Sequence, residues 1–161
     1  IISPEYIKAL EEHVLLGFTG INRDSRDYAK TQIKNIHNGC SESYLHNIHS
    51  IAEEAKQAFL RQESLEEIGR LLDESWKMKQ QLSSKLTNDF IDEIYQTARK
   101  NGAFGGKLMG AGGGGFFLFL APPYGHKAIK EALPNIKVWV PFKIDPMGSR
   151  VIFHNVPEQS F

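Results

Sequence analysis

The residues best suited to chemistry gather in one stretch, Gly105-Gly106-Lys107-Leu108-Met109-Gly110-Ala111-Gly112-Gly113-Gly114-Gly115. Glycine brings no side chain to a core and is the residue most costly to order. What it offers is freedom of φ and bare peptide N–H groups that can approach an anion or a second backbone. Lys107 among them suits a phosphate, and as a lone lysine it fits a surface residue equally well. Gly110, Gly112 and Gly115 spell G-x-G-x-x-G, but a dinucleotide fingerprint must open a helix, and here the β-type run Phe116-Phe117-Leu118-Phe119-Leu120 follows. A Walker loop would end in Gly-Lys-Ser/Thr, which this stretch lacks. A kinase-type glycine loop lies between strands, yet no catalytic-loop or metal-binding signature of the protein kinases follows. Two readings stay open: a loop facing phosphate, and a tight joint where strand and helix backbones touch.

A second set is Thr19-Gly20-Ile21-Asn22-Arg23-Asp24-Ser25-Arg26, at a strand-to-helix junction. A helix start presents unpaired N–H groups and partial positive charge, and arginine adds a planar fork matched to phosphate or carboxylate oxygens. Asp24 competes for the same donors, so an ordinary cap with solvated arginines is the alternative. His37, Cys40, His46 and His49 form no complete zinc set, since no carboxylate or second cysteine joins them. In Trp76-Lys77-Met78-Lys79 the tryptophan suits a core. The lysines there, with Ser83-Ser84-Lys85, suit either the mouth of a site or a solvated helix end. No Ser–His–Asp set and no carboxylate pair stands out, and nothing nominates a general base.

The elements that must position these residues follow from periodicity and punctuation. Ser3-Pro4-Glu5 predicts a helix start, with the helix over Glu5–Glu12 and a strand over His13–Phe18. A helix is expected from the Asn22/Asp24 caps to about Asn38, stopped by Gly39. The next starts at Ser41 or Ser43 and carries a stripe through Ile48, Ile51, Ala55 and Phe59. Ser64 with Glu67 reads as a capping box opening a third helix. Thr87 or Asn88 opens a fourth, with Phe90, Ile91, Ile94, Tyr95 and Ala98 on one face and Asn101-Gly102 at its end. After the glycine run, Phe116–Leu120 reads as a strand buried on both faces. Tyr124–Leu133 reads as a helix, Ile136–Phe142 as a strand, Asp145-Pro146-Met147-Gly148 as a turn and Arg150–Asn155 as a returning strand. This mixed order argues for an α+β fold: a mainly antiparallel sheet with the helices covering one side.

Length and composition narrow the class. The 161 residues suit one domain or half of a two-domain protein, and a hydrophobic share of 41% can build a core. A formal net charge of zero offers no basic field for nucleic acid or an anionic membrane. The single Cys40 excludes an internal disulfide and fits a reducing, cytoplasmic setting. No apolar run approaches the roughly 20 residues of a membrane span. The chain opens Ile1-Ile2-Ser3-Pro4 without methionine, which suggests a processed or excised piece.

Four stretches together resemble one family. KLMGAGGGGFFLFL is similar to the third motif of the GHMP small-molecule kinases. FTGINRDS, ESWKMKQQLSSKLTNDFIDEIY and VPFKIDPMGSRVIF extend the likeness over nearly the whole chain, toward the branch acting on heptose 7-phosphates. The resemblance implies a ferredoxin-like C-terminal domain over residues 1–161, with a four-stranded, mainly antiparallel sheet covered by helices. The family's main ATP-phosphate loop, Pro-x-x-x-Gly-Leu-x-Ser-Ser, has no counterpart here, and it belongs to an N-terminal domain that would be this chain's partner. That domain would also carry most of the binding of ATP and Mg²⁺ and the catalytic acidic residues. The resemblance puts Lys107, Gly110, Ala111, Gly112, Gly113 and Gly114 near the transferring phosphate. It puts Thr19, Gly20, Arg23 and Ser25 on the sugar-phosphate side. The implied reaction is phosphoryl transfer from ATP to a sugar hydroxyl, with no nucleic acid or membrane partner, and with no turnover from this domain alone; the alternatives are a kinase for another sugar or polyol phosphate, and a non-catalytic ligand-binding or assembly module of the same fold.

Overall fold

The structure is a computed structural model and describes residues 2–21, 42–81, 87–110 and 113–148. Along the chain run α1 (Pro4–His13), β1 (Val14–Phe18), α2 (Glu42–Arg61), α3 (Leu65–Gln81), α4 (Asp89–Lys100), β2 (Gly105–Leu108), β3 (Phe116–Leu120), a 3₁₀ turn (Pro123–Gly125), α5 (His126–Ala132) and β4 (Val138–Val140). The helix expected over 22–38 and the returning strand expected over 150–155 lie outside the described residues.

Side chains near the helix ends set where the helices start and stop. Ser3 Oγ accepts from the Tyr6 N–H at 3.2 Å, and Pro4 takes the first helical position, where its missing N–H costs nothing. Ser64 Oγ accepts from the Glu67 N–H at 3.2 Å, which is half of the expected capping box. The Glu67 carboxylate turns to Arg70 instead, accepting at 2.8 and 2.5 Å. Asn88 caps α4 through the Ile91 N–H at 3.0 Å, and Gly102 follows the helix with a φ of 99°. The helix expected over Tyr124–Leu133 is shorter than its pattern, because Pro122-Pro123 directs a 3₁₀ turn before α5 begins.

The strands form one sheet in the order β2-β3-β1-β4, and each neighbouring pair is antiparallel. With helices between β1 and β2 and again between β3 and β4, this is the β-α-β-β-α-β arrangement of ferredoxin-like folds. The α+β expectation therefore holds. The expected strand over Ile136–Phe142 contracts to the three residues of β4, which pair with Leu16–Phe18 of β1.

One expectation fails: the helices cover both faces of the sheet. The cause is β3, whose five apolar residues alternate between the two faces and need shelter on each. Phe117 and Phe119 point toward Ile91, Ile94 and Tyr95 of α4 and Ile129 of α5. Leu120 points the other way, toward Ala58 of α2 and Ile68 and Leu71 of α3, with Leu10 of α1 beside them. Phe116, at the loop end of β3, remains 37% exposed.

The glycine run also divides. Gly105 and Gly106 belong to β2 and not to a loop. A Cβ on Gly105 would lie 1.9 Å from the carbonyl oxygen of Gly69 in α3, and one on Gly106 would lie 2.4 Å from the Phe119 ring. Here the tight-joint reading is the correct one: strand and helix backbones touch. The loop itself starts at Met109.

Candidate functional site: the rim of the glycine hairpin

Three elements meet where β2 turns into β3. The Met109 N–H donates to Phe116 O at 2.8 Å and closes the hairpin. On its far side the hairpin is stitched to the end of β1. The Thr19 N–H donates to Gly115 O at 2.9 Å, and the Gly115 N–H donates to Ile21 O at 3.0 Å. Thr19 is 3% exposed, and its hydroxyl is fully employed. It donates to Gly115 O at 2.9 Å and accepts from the Gly115 and Ile21 N–H groups at 3.2 and 3.3 Å. Gly114 must be glycine because a Cβ would meet Ile21 at 2.7 Å. Gly110, with φ +77°, has nothing within 4 Å of a Cβ and opens onto free space.

The third element is α3, pinned against β2 by the Gly69–Gly105 contact. It brings Ser75 and Lys79, one turn apart and so on one face, beside the lysine of β2. Lys107 Nζ donates to Ser75 Oγ at 3.4 Å, and Lys79 Nζ donates to Gly110 O at 2.6 Å. Both lysines are half-buried, and among the described residues neither has an ion-pair partner. Burial pulls the Lys107 ammonium below the usual lysine range. Burial, helped by the Lys107 charge, pulls Lys79 down to about 8. Lys77, two residues from Lys79, is a different case: it donates to the buried carboxylate of Asp73 at 2.7 Å.

The residues singled out from the sequence thus separate. Thr19 comes together with Gly115, and Gly114 with Ile21, although more than ninety residues apart in the chain, whereas Gly20 faces the Lys137 side chain. Lys107 approaches from β2, through the strand and not through the loop. Arg23, Ser25, Ala111 and Gly112 lie outside the described residues, as do His37, Cys40 and Ser83-Ser84-Lys85. His46 and His49 sit exposed on α2, where His46 faces Glu42 at 3.9 Å, and no three potential metal ligands cluster among the described residues. Trp76 is core, at 0% exposure. The question left open for Lys77 and Lys79 resolves residue by residue: the first stabilises an internal acid and the second reaches the hairpin. Ser75 was missed, and its four-residue spacing from Lys79 was the available signal. No helix among the described residues is long and apolar enough to cross a membrane.

A ferredoxin-like sheet thus carries a glycine hairpin locked to β1 on one side and faced by two lysines on the other. Residues 55–137 match the family model "GHMP kinases C terminal", and the chain belongs to that family. It is 33% identical over 128 residues to the D-glycero-alpha-D-manno-heptose 7-phosphate kinase of Campylobacter jejuni, covering 76% of this chain and 38% of that protein. It is 30% identical over 121 residues to the bifunctional fucokinase/GDP-fucose pyrophosphorylase of Arabidopsis thaliana, covering 74% of this chain and 11% of that one. The L. major mevalonate kinase, solved with R-mevalonate, shares the fold with a TM-score of 0.67 at 24% identity, over 79% of this chain and 40% of its own. The chain therefore spans well under half the length of these relatives.

Proposed function

We propose that this chain is the C-terminal half of an ATP-dependent sugar kinase. In this reading the complete enzyme phosphorylates the anomeric hydroxyl of D-glycero-D-manno-heptose 7-phosphate. The bond from the γ-phosphorus to the β-bridging oxygen of ATP breaks, a bond from that phosphorus to the sugar oxygen forms, and the hydroxyl proton leaves to a base outside this chain. ADP and a heptose bisphosphate result. Such a transfer needs positioning and charge neutralisation far more than covalent help, and a glycine hairpin with lysines at its rim suits that work. The single observation that carries the reading is this convergence of Lys79, Lys107 and the hairpin in a chain 33% identical to a heptose 7-phosphate kinase. Lys107 and Gly110–Gly114 would face the transferring phosphate, and Thr19, Gly20, Arg23 and Ser25 would border the sugar phosphate. Mg²⁺ would enter with ATP and be held mainly by the N-terminal domain, the partner this reading requires. A cytoplasmic location goes with the nucleotide.

A second reading has support from the fucokinase relative: the same transfer to another sugar. Assaying the full-length protein for ADP release over heptose 7-phosphate, free heptose, L-fucose and galactose decides between them. The first reading expects heptose 7-phosphate to be preferred, with the new phosphate at C1 by phosphorus NMR. Preference for L-fucose replaces it with the second, and no turnover with any sugar sinks both. The isolated 161-residue chain is expected to release no ADP.

A further inference from the structure

We infer that Lys79 of α3 and Lys107 of β2, with Ser75 beside Lys107, form one binding site for a dianionic terminal phosphate group next to Gly110. The assignment of the phosphate's carrier rests on the kinase reading above; the site itself rests on geometry. Lys107 pairs with Leu118 across the ladder, so its side chain leaves the sheet on the face that α3 covers. Gly69 against Gly105 allows backbone contact between α3 and β2, which fixes the height of Ser75 and Lys79 beside that strand. Two ammonium groups are thereby held close together and half out of water.

Two neighbouring cations are matched. Lys77 has Asp73, and Arg99 lies 4.0 Å from the same carboxylate. Lys79 has only the Gly110 carbonyl and Lys107 only the Ser75 hydroxyl among the described residues. A carbonyl neutralises nothing, and two like charges without a counterion cost free energy that a bound anion would recover. The anion that fits is a dianion with several acceptor oxygens, because two ammonium groups and a hydroxyl offer two charges and a set of separate donors. A carboxylate would leave one positive charge over. Burial lowers the affinity of both lysines for their protons, and for Lys79 the Lys107 charge adds to it. Gly110 lies at the lip of the hairpin with open space above it, so a ligand there can displace the Lys79–carbonyl contact without moving the sheet.

The test uses the 161-residue chain as it stands, in a buffer free of other multivalent anions. The side-chain carbons of Lys79 and Lys107 are followed by NMR against pH, with and without inorganic phosphate. Phosphate is expected to raise the Lys79 titration by about one pH unit and to saturate. Lys79→Gln and Lys107→Gln should each weaken phosphate binding about tenfold, Lys79→Arg should retain it, and Lys127→Gln, at an exposed pair with Glu131, should leave it unchanged. If saturating phosphate leaves both lysine titrations unmoved, or Lys79→Gln binds phosphate as tightly as the parent, the site is wrong. The titration of the unsubstituted chain decides even where a variant fails to fold. In the full-length protein, a rise in KM for the sugar phosphate alone marks the substrate's own phosphate as occupant, and a rise for ATP alone marks the nucleotide's. An unchanged KM for both in Lys79→Gln overturns the assignment. Phosphate binding without turnover of any sugar would leave the site standing and remove the kinase reading.

Discussion

Thr19 shows how much a single residue's role depends on the fold around it. From the sequence it is a hydroxyl before a helix, free for a substrate. In the structure that hydroxyl makes three hydrogen bonds that tie β1 to the end of the hairpin. Nothing local in the sequence indicates a partner ninety-six positions away. Thr19→Val keeps the shape and removes the bonds: the Gly115 N–H keeps the Ile21 carbonyl, while the Ile21 N–H loses the hydroxyl it donates to, so the expected loss is about 1–3 kcal/mol in urea unfolding, with Thr19→Ser restoring most of it. Asp73 is the other residue invisible in the sequence, a carboxylate 5% exposed inside α3. Burial works against its charge, yet hydrogen bonds from Lys77 and Tyr95 and the charges of Lys77 and Arg99 outweigh it and hold its carboxyl below the usual range. A carboxyl lowered in the folded state adds stability that is complete above its unfolded pKa, about 4, and is lost as pH falls through the folded value. Asp73→Asn is therefore expected to cost about 2 kcal/mol at pH 7, with the gap to the parent closing below about pH 4. Urea midpoints at the two pH values measure it, and a gap that stays constant would show that charge plays no part.

At the scale of elements, most boundaries were readable because they rest on local chemistry: Ser3, Ser64 and Asn88 cap where their patterns place them. The glycine run was readable only in part. Its second half is a hairpin, as its composition implies. Its first half is strand, because close approach to α3 is a pairwise property of two backbones and only one of them was under consideration. The missing clue was Gly69, a glycine in mid-helix that costs about 1 kcal/mol against alanine unless packing requires it. The two halves are expected to answer differently to the same substitution. Gly105→Ala drives a methyl into the Gly69 carbonyl at 1.9 Å, a backbone atom that cannot swing aside, so α3 must lift from β2. A loss of about 3 kcal/mol or more is expected. Gly110→Ala meets no atom and pays only for its left-handed φ, about 1 kcal/mol. Thermal unfolding of the two variants ranks them, and equal losses would show that β2 and α3 are not in backbone contact.

Across the whole molecule, the α+β class followed from element order, whereas the order of strands in the sheet and cover on both faces did not. Assigning three successive helices to faces requires knowing which strand they must shelter, and β3, apolar on both sides, requires two covers. The two covers are unequal. Toward α4 the sheet carries the stacked pair Phe117 and Phe119 at 4.9 Å, and Trp76 of α3 meets Phe117 edge-on at 6.0 Å. Four residues of α4 are buried there: Ile91, Ile94, Tyr95 and Ala98. Toward α2 only Ala58 of that helix is buried, and an apolar cavity of about 300 Å³ lies among α1, α2, α3 and β3. Each fully buried large side chain contributes about 1.5–3 kcal/mol, so α4 holds to the sheet through contacts that α2 lacks. Stability should therefore be graded across the sheet, with α2 opening locally while β3, β1 and α4 remain closed. Native-state hydrogen exchange is expected to give α2 amides an opening free energy at least about 2 kcal/mol below those of α4. Equal protection in the two helices would mean that the thinly filled face is held by contacts as strong as the aromatic one.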